Sequence, residues 1–246
     1  MSGHSKWASI KHKKGALDAK RGKIFSKIVK EITVAARNGG GSVDQNPRLR
    51  LIVQKAKDSN MPADNIDRAI KKGTGELPGV SYEEMVYEAY GPGGTALIIE
   101  SLSDNKNRTS SEVRSTLDKN GGKLANPGAV SFQFSKKGFL TVAKSKAGEE
   151  KLMDLVLEAG AQDLKSEGEV HEITTEPQDF EAVKTALNDA GIEPDSAEIT
   201  MLPSNTVRVE GPDAKKVLNL IDLLEDLEDV QNVYANFDIP DDQMGD

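Results

Sequence analysis

Apolar side chains recur at helical spacing in the first third of the chain. Ile24, Phe25, Ile28, Val29, Ile32, Ala35 and Ala36 share one arc of a helical wheel, so residues from about Asp18 to Arg37 are expected to form a core-facing amphipathic helix. Gly39-Gly40-Gly41 ends it. Asn46-Pro47 then supplies an N-cap residue and a first-position proline for a second helix running to about Ser59. Its Leu49, Ile52, Val53 and Ala56 point inward, with Arg48, Arg50, Lys55 and Lys57 largely outward. Asn60-Met61-Pro62 breaks this helix, and a third covers roughly Ala63–Lys72. Asp64 and Asp67 at its start, Lys71 and Lys72 at its end and Gly73 just beyond suit the helix macrodipole, which gives those charges a structural role first. Three short helices make a small bundle. A helix-turn-helix reader is compatible with that count, but nothing marks a recognition helix with base-reading side chains at its start.

Beyond the linker-like Glu76-Leu77-Pro78-Gly79 the periods alternate. Strands are expected at Tyr87–Tyr90 and Thr95–Leu102 around a Gly91–Gly94 turn, then a helix opened by a Thr109–Glu112 capping box and ending near Asn120. Strands at Val130–Phe134 and Gly138–Val142 precede a helix near Glu149–Ala159, a strand near Val170–Thr174 and a helix near Asp179–Ala190. Strands at Ala197–Leu202 and Thr206–Val209, a helix at Asp213–Leu227 and a strand at Val233–Asp238 complete the chain. Short strands alternating with helices indicate an α+β multidomain protein, with sheets covered by helices on one face and enough elements for two such modules.

Charge changes the picture. The net charge is −8 over 246 residues, yet residues 1–75 hold 17 Lys and Arg against 6 Asp and Glu, and residues 76–246 hold 15 against 34. A basic module inside an acidic chain is the pattern of a protein that meets a polyanion. Lys6, Lys11, Lys13 and Lys14 surround Trp7, the only tryptophan, in a segment without apolar periodicity. Such an arm can neutralise phosphates and stack its indole on an unpaired base; packing of Trp7 onto the next helix is the equal alternative. On the first helix Lys20, Lys23, Lys27, Lys30 and Arg37 form a stripe separate from the apolar arc. Repulsion between like charges at i,i+4 costs helix stability, so the stripe is expected to serve binding.

Other chemistry is sparse. There is no cysteine, which removes disulfides, thiolate metal sites and cysteine nucleophiles. No apolar run is long enough to span a bilayer and Met1–Lys14 has no apolar signal core, so a cytoplasmic protein without membrane association is expected. Gly91-Pro-Gly-Gly94 lacks the Gly-Lys-Ser/Thr ending of a phosphate loop and reads as a hairpin turn. His171 stands without a serine-nucleophile motif or paired ligands, and the carboxylates show no catalytic spacing. Asp222, Glu225, Asp226, Glu228 and Asp229 flank Leu220, Leu223, Leu224 and Leu227, which reads as a solvated face or, less simply, as a docking surface. Lys106 and Arg108 before the capped helix, and Lys123 in the glycine-rich Asn120–Ala129 loop, are further candidates for a functional surface.

Several of these segments together carry a resemblance. Gly3-His-Ser-Lys-Trp7, Lys11-His-Lys-Lys14, Asp18-Ala-Lys-Arg-Gly-Lys23, Asn60-Met-Pro62, Arg68-Ala-Ile-Lys-Lys-Gly73, Gly91-Pro-Gly-Gly94, Asp104-Asn-Lys-Asn-Arg-Thr109 and the Gly121–Phe132 stretch resemble the signatures of the YebC family of regulatory proteins. Ser42-Val43 departs from that pattern, where Asp-Pro usually follows the glycines. The resemblance implies three domains: a basic helical nucleic-acid-binding domain over 1–76, and two α/β sandwich (ferredoxin-like) modules, one over 77–135 plus 204–240 and the other inserted at 136–203. It implies a non-enzymatic DNA-binding transcriptional regulator or, alternatively, a ribosome-associated translation factor that relieves stalls at proline-rich nascent chains. Neither role needs a cofactor or a small-molecule substrate. The expected nucleic-acid-binding residues are Lys6, Trp7, Lys11, Lys13, Lys14, Lys20, Arg21, Lys23, Lys27, Lys30, Arg37, Lys106, Arg108 and Lys123, with a protein partner possible on the acidic modules.

Overall fold

The computed structural model describes residues 18–240. Its first body is helical: α1 (Asp18–Gly39), α2 (Pro47–Asp58) and α3 (Ala63–Thr74). The expected apolar arc forms its core, with Ile28, Ile32, Ala35 and Ala36 packing on Leu49, Val53, Ala56, Met61, Ile66 and Ala69. Asn46 caps α2 by accepting a hydrogen bond from the Leu49 N–H at 3.1 Å, and its amide donates to the Ala35 and Gly40 carbonyls, tying the turn to the end of α1. The third helix runs past its expected end. Gly73 lies inside it, and the left-handed residue that terminates it is Gly75 (φ 84°). Gly73 sits where α3 crosses α1: a Cβ there would lie 2.4 Å from the Thr33 carbonyl oxygen and 2.7 Å from the Ala36 Cβ.

The second body contains strands β1 (Glu83–Tyr90), β2 (Ala96–Ser103) and β3 (Lys123–Leu124), with helix α4 (Lys106–Lys119) between β2 and β3. The Gly91–Gly94 segment makes the β1–β2 turn, with Gly93 and Gly94 both at positive φ. The helix begins three residues before the expected capping box. Asn105 is the N-cap, accepting from the Arg108 N–H, while the Thr109 hydroxyl is drawn to a buried carboxylate. Val130–Phe134 is not a continuous strand, because the Val130 and Ser131 N–H groups donate to the Glu88 side chain instead of to a neighbouring strand. Residues Ser131–Gln133 form one 3-10 turn.

The third body comprises β4 (Phe134–Ala143), α5 (Glu149–Glu158), β5 (Ala161–Glu167), β6 (Val170–Thr175), α6 (Phe180–Asp189) and β7 (Ser196–Pro203). Its sheet runs β5-β6-β4-β7 with every neighbour antiparallel, the βαββαβ arrangement of a ferredoxin-like module. Helices α5 and α6 bury Leu152, Val156, Val183 and Leu187 against Leu140, Val142 and Ile173. The chain then returns through β8 (Val207–Arg208), α7 (Gly211–Glu225), β9 (Val230–Ala235) and β10 (Phe237–Asp238). Strand β9 joins the second body as the outer neighbour of β2, giving the order β3-β1-β2-β9. Helices α4 and α7 cover one face of that sheet through Val113, Leu117, Val217, Leu220 and Leu224. Ala96 and Ile98 of β2 bury the opposite face against Val130 and Phe134.

Candidate nucleic-acid interface

The basic stripe of α1 exists as expected, but its middle is covered: Lys30 is buried and Lys27 half-buried, while Lys23 and Arg37 stay exposed. It lies against the C-terminal end of α7 and the turn into β9. Lys27 Nζ donates to the Glu225 carbonyl at 2.6 Å, and Lys23 Nζ reaches the Asp226 carboxylate at 3.4 Å. Lys30 donates to the Glu228 carbonyl at 3.2 Å and to Asp229 Oδ1 at 2.7 Å, and stacks its ammonium 5.6 Å from the centre of the Tyr82 ring. Lysines at the negative, C-terminal end of a helix are the arrangement that the macrodipole favours. The acidic run after Leu220 is therefore a docking surface, and its occupant is the chain's own first helix.

Asp229 is the hub of this contact. Its side chain is 1% exposed, and that of Lys30 is 6% exposed. Oδ2 accepts from Ser103 Oγ (2.9 Å), Thr109 Oγ1 (2.7 Å) and the Arg108 guanidinium (2.7 and 3.2 Å). Burial alone would raise this carboxyl, but the hydrogen bonds from Lys30, Arg108, Thr109 and Ser103 outweigh it and hold the group well below the usual carboxylate range. Arg108 also pairs with Asp104 at 2.8 Å, so this guanidinium serves the hub and its own helix start.

The other expected residues are dispersed. Arg37 donates to Ser81 Oγ at 2.5 Å and to the Tyr82 carbonyl at 2.6 Å, clamping the end of α1 to the approach to β1. Lys106 pairs with Glu83 at 2.9 Å. Lys123 is exposed on the short edge strand β3. Lys20 and Arg21 fall in the first turns of α1. Lys6, Trp7, Lys11, Lys13 and Lys14 lie outside the described residues.

The basic face that stays open is on α3. Arg68, Lys71 and Lys72 are spaced i, i+3, i+4, share one side of the helix and are all exposed. Their agreement with the macrodipole accounted for Lys71 and Lys72 in sequence terms, which hid the face. The i, i+3, i+4 spacing with Arg68 was the available signal. Lys55 and Arg48, by contrast, are paired with Glu31 and Glu84.

The Asn120–Ala129 loop is held by a carboxylate. Glu88 accepts from the N–H groups of Gly128 (2.6 Å), Val130 (2.7 Å) and Ser131 (2.9 Å). Burial would raise this group, and those backbone donors outweigh it and lower it. His171 is buried with both ring nitrogens engaged, Nδ1 with Ser166 Oγ at 2.7 Å and Nε2 with the Ala147 carbonyl at 3.0 Å, which is a packing role. Among the described residues no three His, Cys, Asp or Glu side chains cluster as metal ligands.

Comparison with known proteins agrees with the architecture. Residues 5–76 match the model of the TACO1/YebC protein N-terminal domain, and residues 82–237 match that of the TACO1/YebC second and third domain. A probable transcriptional regulatory protein from Desulfatibacillum aliphaticivorans is 56% identical over 100% of this chain and 99% of its own length. One of the same name from Acidobacterium capsulatum is 59% identical over 97% of each. The crystal structure of a conserved hypothetical protein from Aquifex aeolicus superposes with a TM-score of 0.80 at 47% identity, covering 91% of this chain and 93% of that one. With both family models matched in chain order and full-length relatives well above half identical, the chain belongs to the TACO1/YebC family.

Proposed function

We propose that the chain acts as a YebC-type transcriptional regulatory protein: it binds DNA through its helical body, works by binding rather than by catalysing a reaction, and does so in the cytoplasm. The observation that carries the reading is the open cationic face of Arg68, Lys71 and Lys72, set in a 75-residue segment with 17 basic and 6 acidic residues. Exposed cations without acidic partners are free to neutralise phosphates and release counterions. The name shared by the relatives favours transcription over the ribosome-associated role that the resemblance left open. No helix among the described residues is long and apolar enough to cross a membrane. In this reading residues 1–76, 77–135 with 204–240, and 136–203 act as three domains, the first carrying the nucleic acid and the acidic pair holding it in orientation. The arm around Trp7 extends the contact.

The test is a salt titration of binding to duplex DNA, comparing the wild type with Arg68→Glu/Lys71→Glu/Lys72→Glu. Loss of three phosphate contacts should flatten the slope of log affinity against log salt by about 2.7 while the far-ultraviolet circular dichroism is retained. A folded triple variant with wild-type affinity and slope sinks the assignment of this face.

A further inference from the structure

Phe132 is the most exposed large apolar side chain among the described residues, at 77%. Its backbone is nevertheless fixed on both sides. The Ser131 N–H donates to Glu88, the Gln133 carbonyl accepts from the Ser204 N–H at 2.7 Å, and the Gln133 side chain accepts from Asn236 at 3.1 Å. An apolar ring presented to water on a fixed backbone costs solvation and gains no packing, while the ordering entropy of that backbone is already spent. That is the preorganisation a recognition element needs. The surroundings say what it would recognise. Val86, Glu88 and Tyr90 project from one face of β1, with Val86 60% and Tyr90 44% exposed. Tyr90 reaches the loop before Phe132, donating to the Ala129 carbonyl at 3.3 Å. Lys123 pairs directly opposite Tyr90 across the β1–β3 ladder, so its ammonium lies on the same face as the phenol. Two carboxylates share this face: Glu88, whose charge is met by three backbone donors, and Glu100, opposite Val86, which accepts from Asn232 and Tyr234.

We infer that Phe132 and Tyr90 form a stacking platform for an unpaired base of single-stranded DNA, with Lys123 meeting the adjacent phosphate. Two aromatic rings and one free cation on a rigid surface match a strand that offers bases and phosphates together; an apolar protein partner would leave Lys123 uncompensated. This deepens the DNA-binding reading and rests on it. Duplex DNA is held by the cations of the helical body, and the platform engages only a strand whose bases are unstacked.

The experiment uses the full chain, a single-stranded oligonucleotide carrying 2-aminopurine, and the duplex of the same sequence. Phe132→Ala should weaken single-strand binding roughly 5- to 150-fold, the range for removal of one stacking aromatic, and should leave duplex binding unchanged. Phe132→Tyr should retain affinity and 2-aminopurine quenching, and Phe132→Leu, apolar but unable to stack, should lose both. Because the ring is exposed, these variants are expected to fold. Wild-type single-strand affinity in Phe132→Leu overturns the platform, as does an equal loss on the duplex. A wild type that binds duplex but not single strand also overturns it and leaves the DNA-binding reading standing; a wild type that binds neither removes both.

Discussion

Asp229→Asn is the sharpest perturbation that the structure offers, because this carboxylate is the buried centre of the contact between the helical body and the rest of the chain. The substitution keeps the shape of the side chain and removes its charge. Lys30, 6% exposed, then loses its only buried anion and retains the Glu228 carbonyl and the Tyr82 face. Breaking one partner of a buried pair costs about 3–5 kcal/mol. Arg108 adds little to that figure, because its side chain is 43% exposed and it keeps Asp104. The remaining carbonyl and ring contacts of Lys30 place the expected loss at the lower end, about 3 kcal/mol. For a chain of this size that lowers the melting temperature by roughly 6–12 °C, or detaches the helical body as a separate earlier transition. Calorimetry of the wild type, Asp229→Asn, Lys30→Met and the double variant gives the coupling directly. Because the two groups share one buried contact, at least about 1.5 kcal/mol of the two losses should be common to both. A loss below about 1 kcal/mol, or strictly additive losses, would show that the docking of α1 on α7 does not depend on this pair.

Acid should weaken the fold through the same groups. Asp229 and Glu88 are both depressed in the folded state, so their contribution is complete above the unfolded carboxylate values near pH ~4 and is lost as pH falls below them. Urea titrations from pH 7 to 3 should therefore show a shallower fall for Asp229→Asn/Glu88→Gln than for the wild type, and parallel curves would refute this. Lys23→Glu should change stability by less than about 1 kcal/mol, since both members of its pair are more than half exposed. Lys30→Glu, which buries a second carboxylate against Asp229, should prevent docking altogether; indistinguishable melting curves for the two variants would contradict the contrast. Gly73→Ala forces a Cβ within 2.4 Å of the Thr33 carbonyl and should cost about 1–3 kcal/mol despite the better helix propensity of alanine. A neutral or stabilising result there would mean that the α1–α3 crossing is free to open.

Local patterns were legible wherever one face of an element was buried and the other wet. The apolar arc of α1 and the cap at Asn46 needed only neighbouring residues, and both stand as read. Strand β5 was not legible. Along Ala161–Glu167 only Ala161 and Leu164 are buried and apolar, and an edge strand with so few inward positions has no alternating signal. The start of α4 was misplaced because Thr109 carries a cap sequence whose hydroxyl is spent on Asp229, a residue 120 positions away. The same distance effect governs the candidate site. The stripe on α1 reads as an open cationic face until its acidic partners, some 200 residues later in the chain, are seen beneath it. Periodicity separates the faces of a helix, but it does not say which non-local element covers a face.

The division of charge therefore has two uses that composition cannot separate. Part of the positive excess is consumed inside the protein: Lys23, Lys27 and Lys30 meet the end of α7, and Arg37 meets the approach to β1. What that contact buries it also orients. With α1 held against Glu225, Asp226, Glu228 and Asp229, a polyanion approaching that side meets carboxylates before lysines and is repelled. On the α3 face of Arg68, Lys71 and Lys72 the neighbouring carboxylates are Asp64 and Asp67 of the same helix, and no other acidic element lies over it among the described contacts. In the proposed reading, docking steers duplex DNA to the α3 side of the helical body, and the carboxylates at the end of α7 close the other side to it. Detaching α1 from α7 should accordingly broaden nonspecific binding while destabilising the chain, whereas neutralising α3 should weaken binding and leave the fold intact. These opposite signatures distinguish a cation used for architecture from one used for recognition.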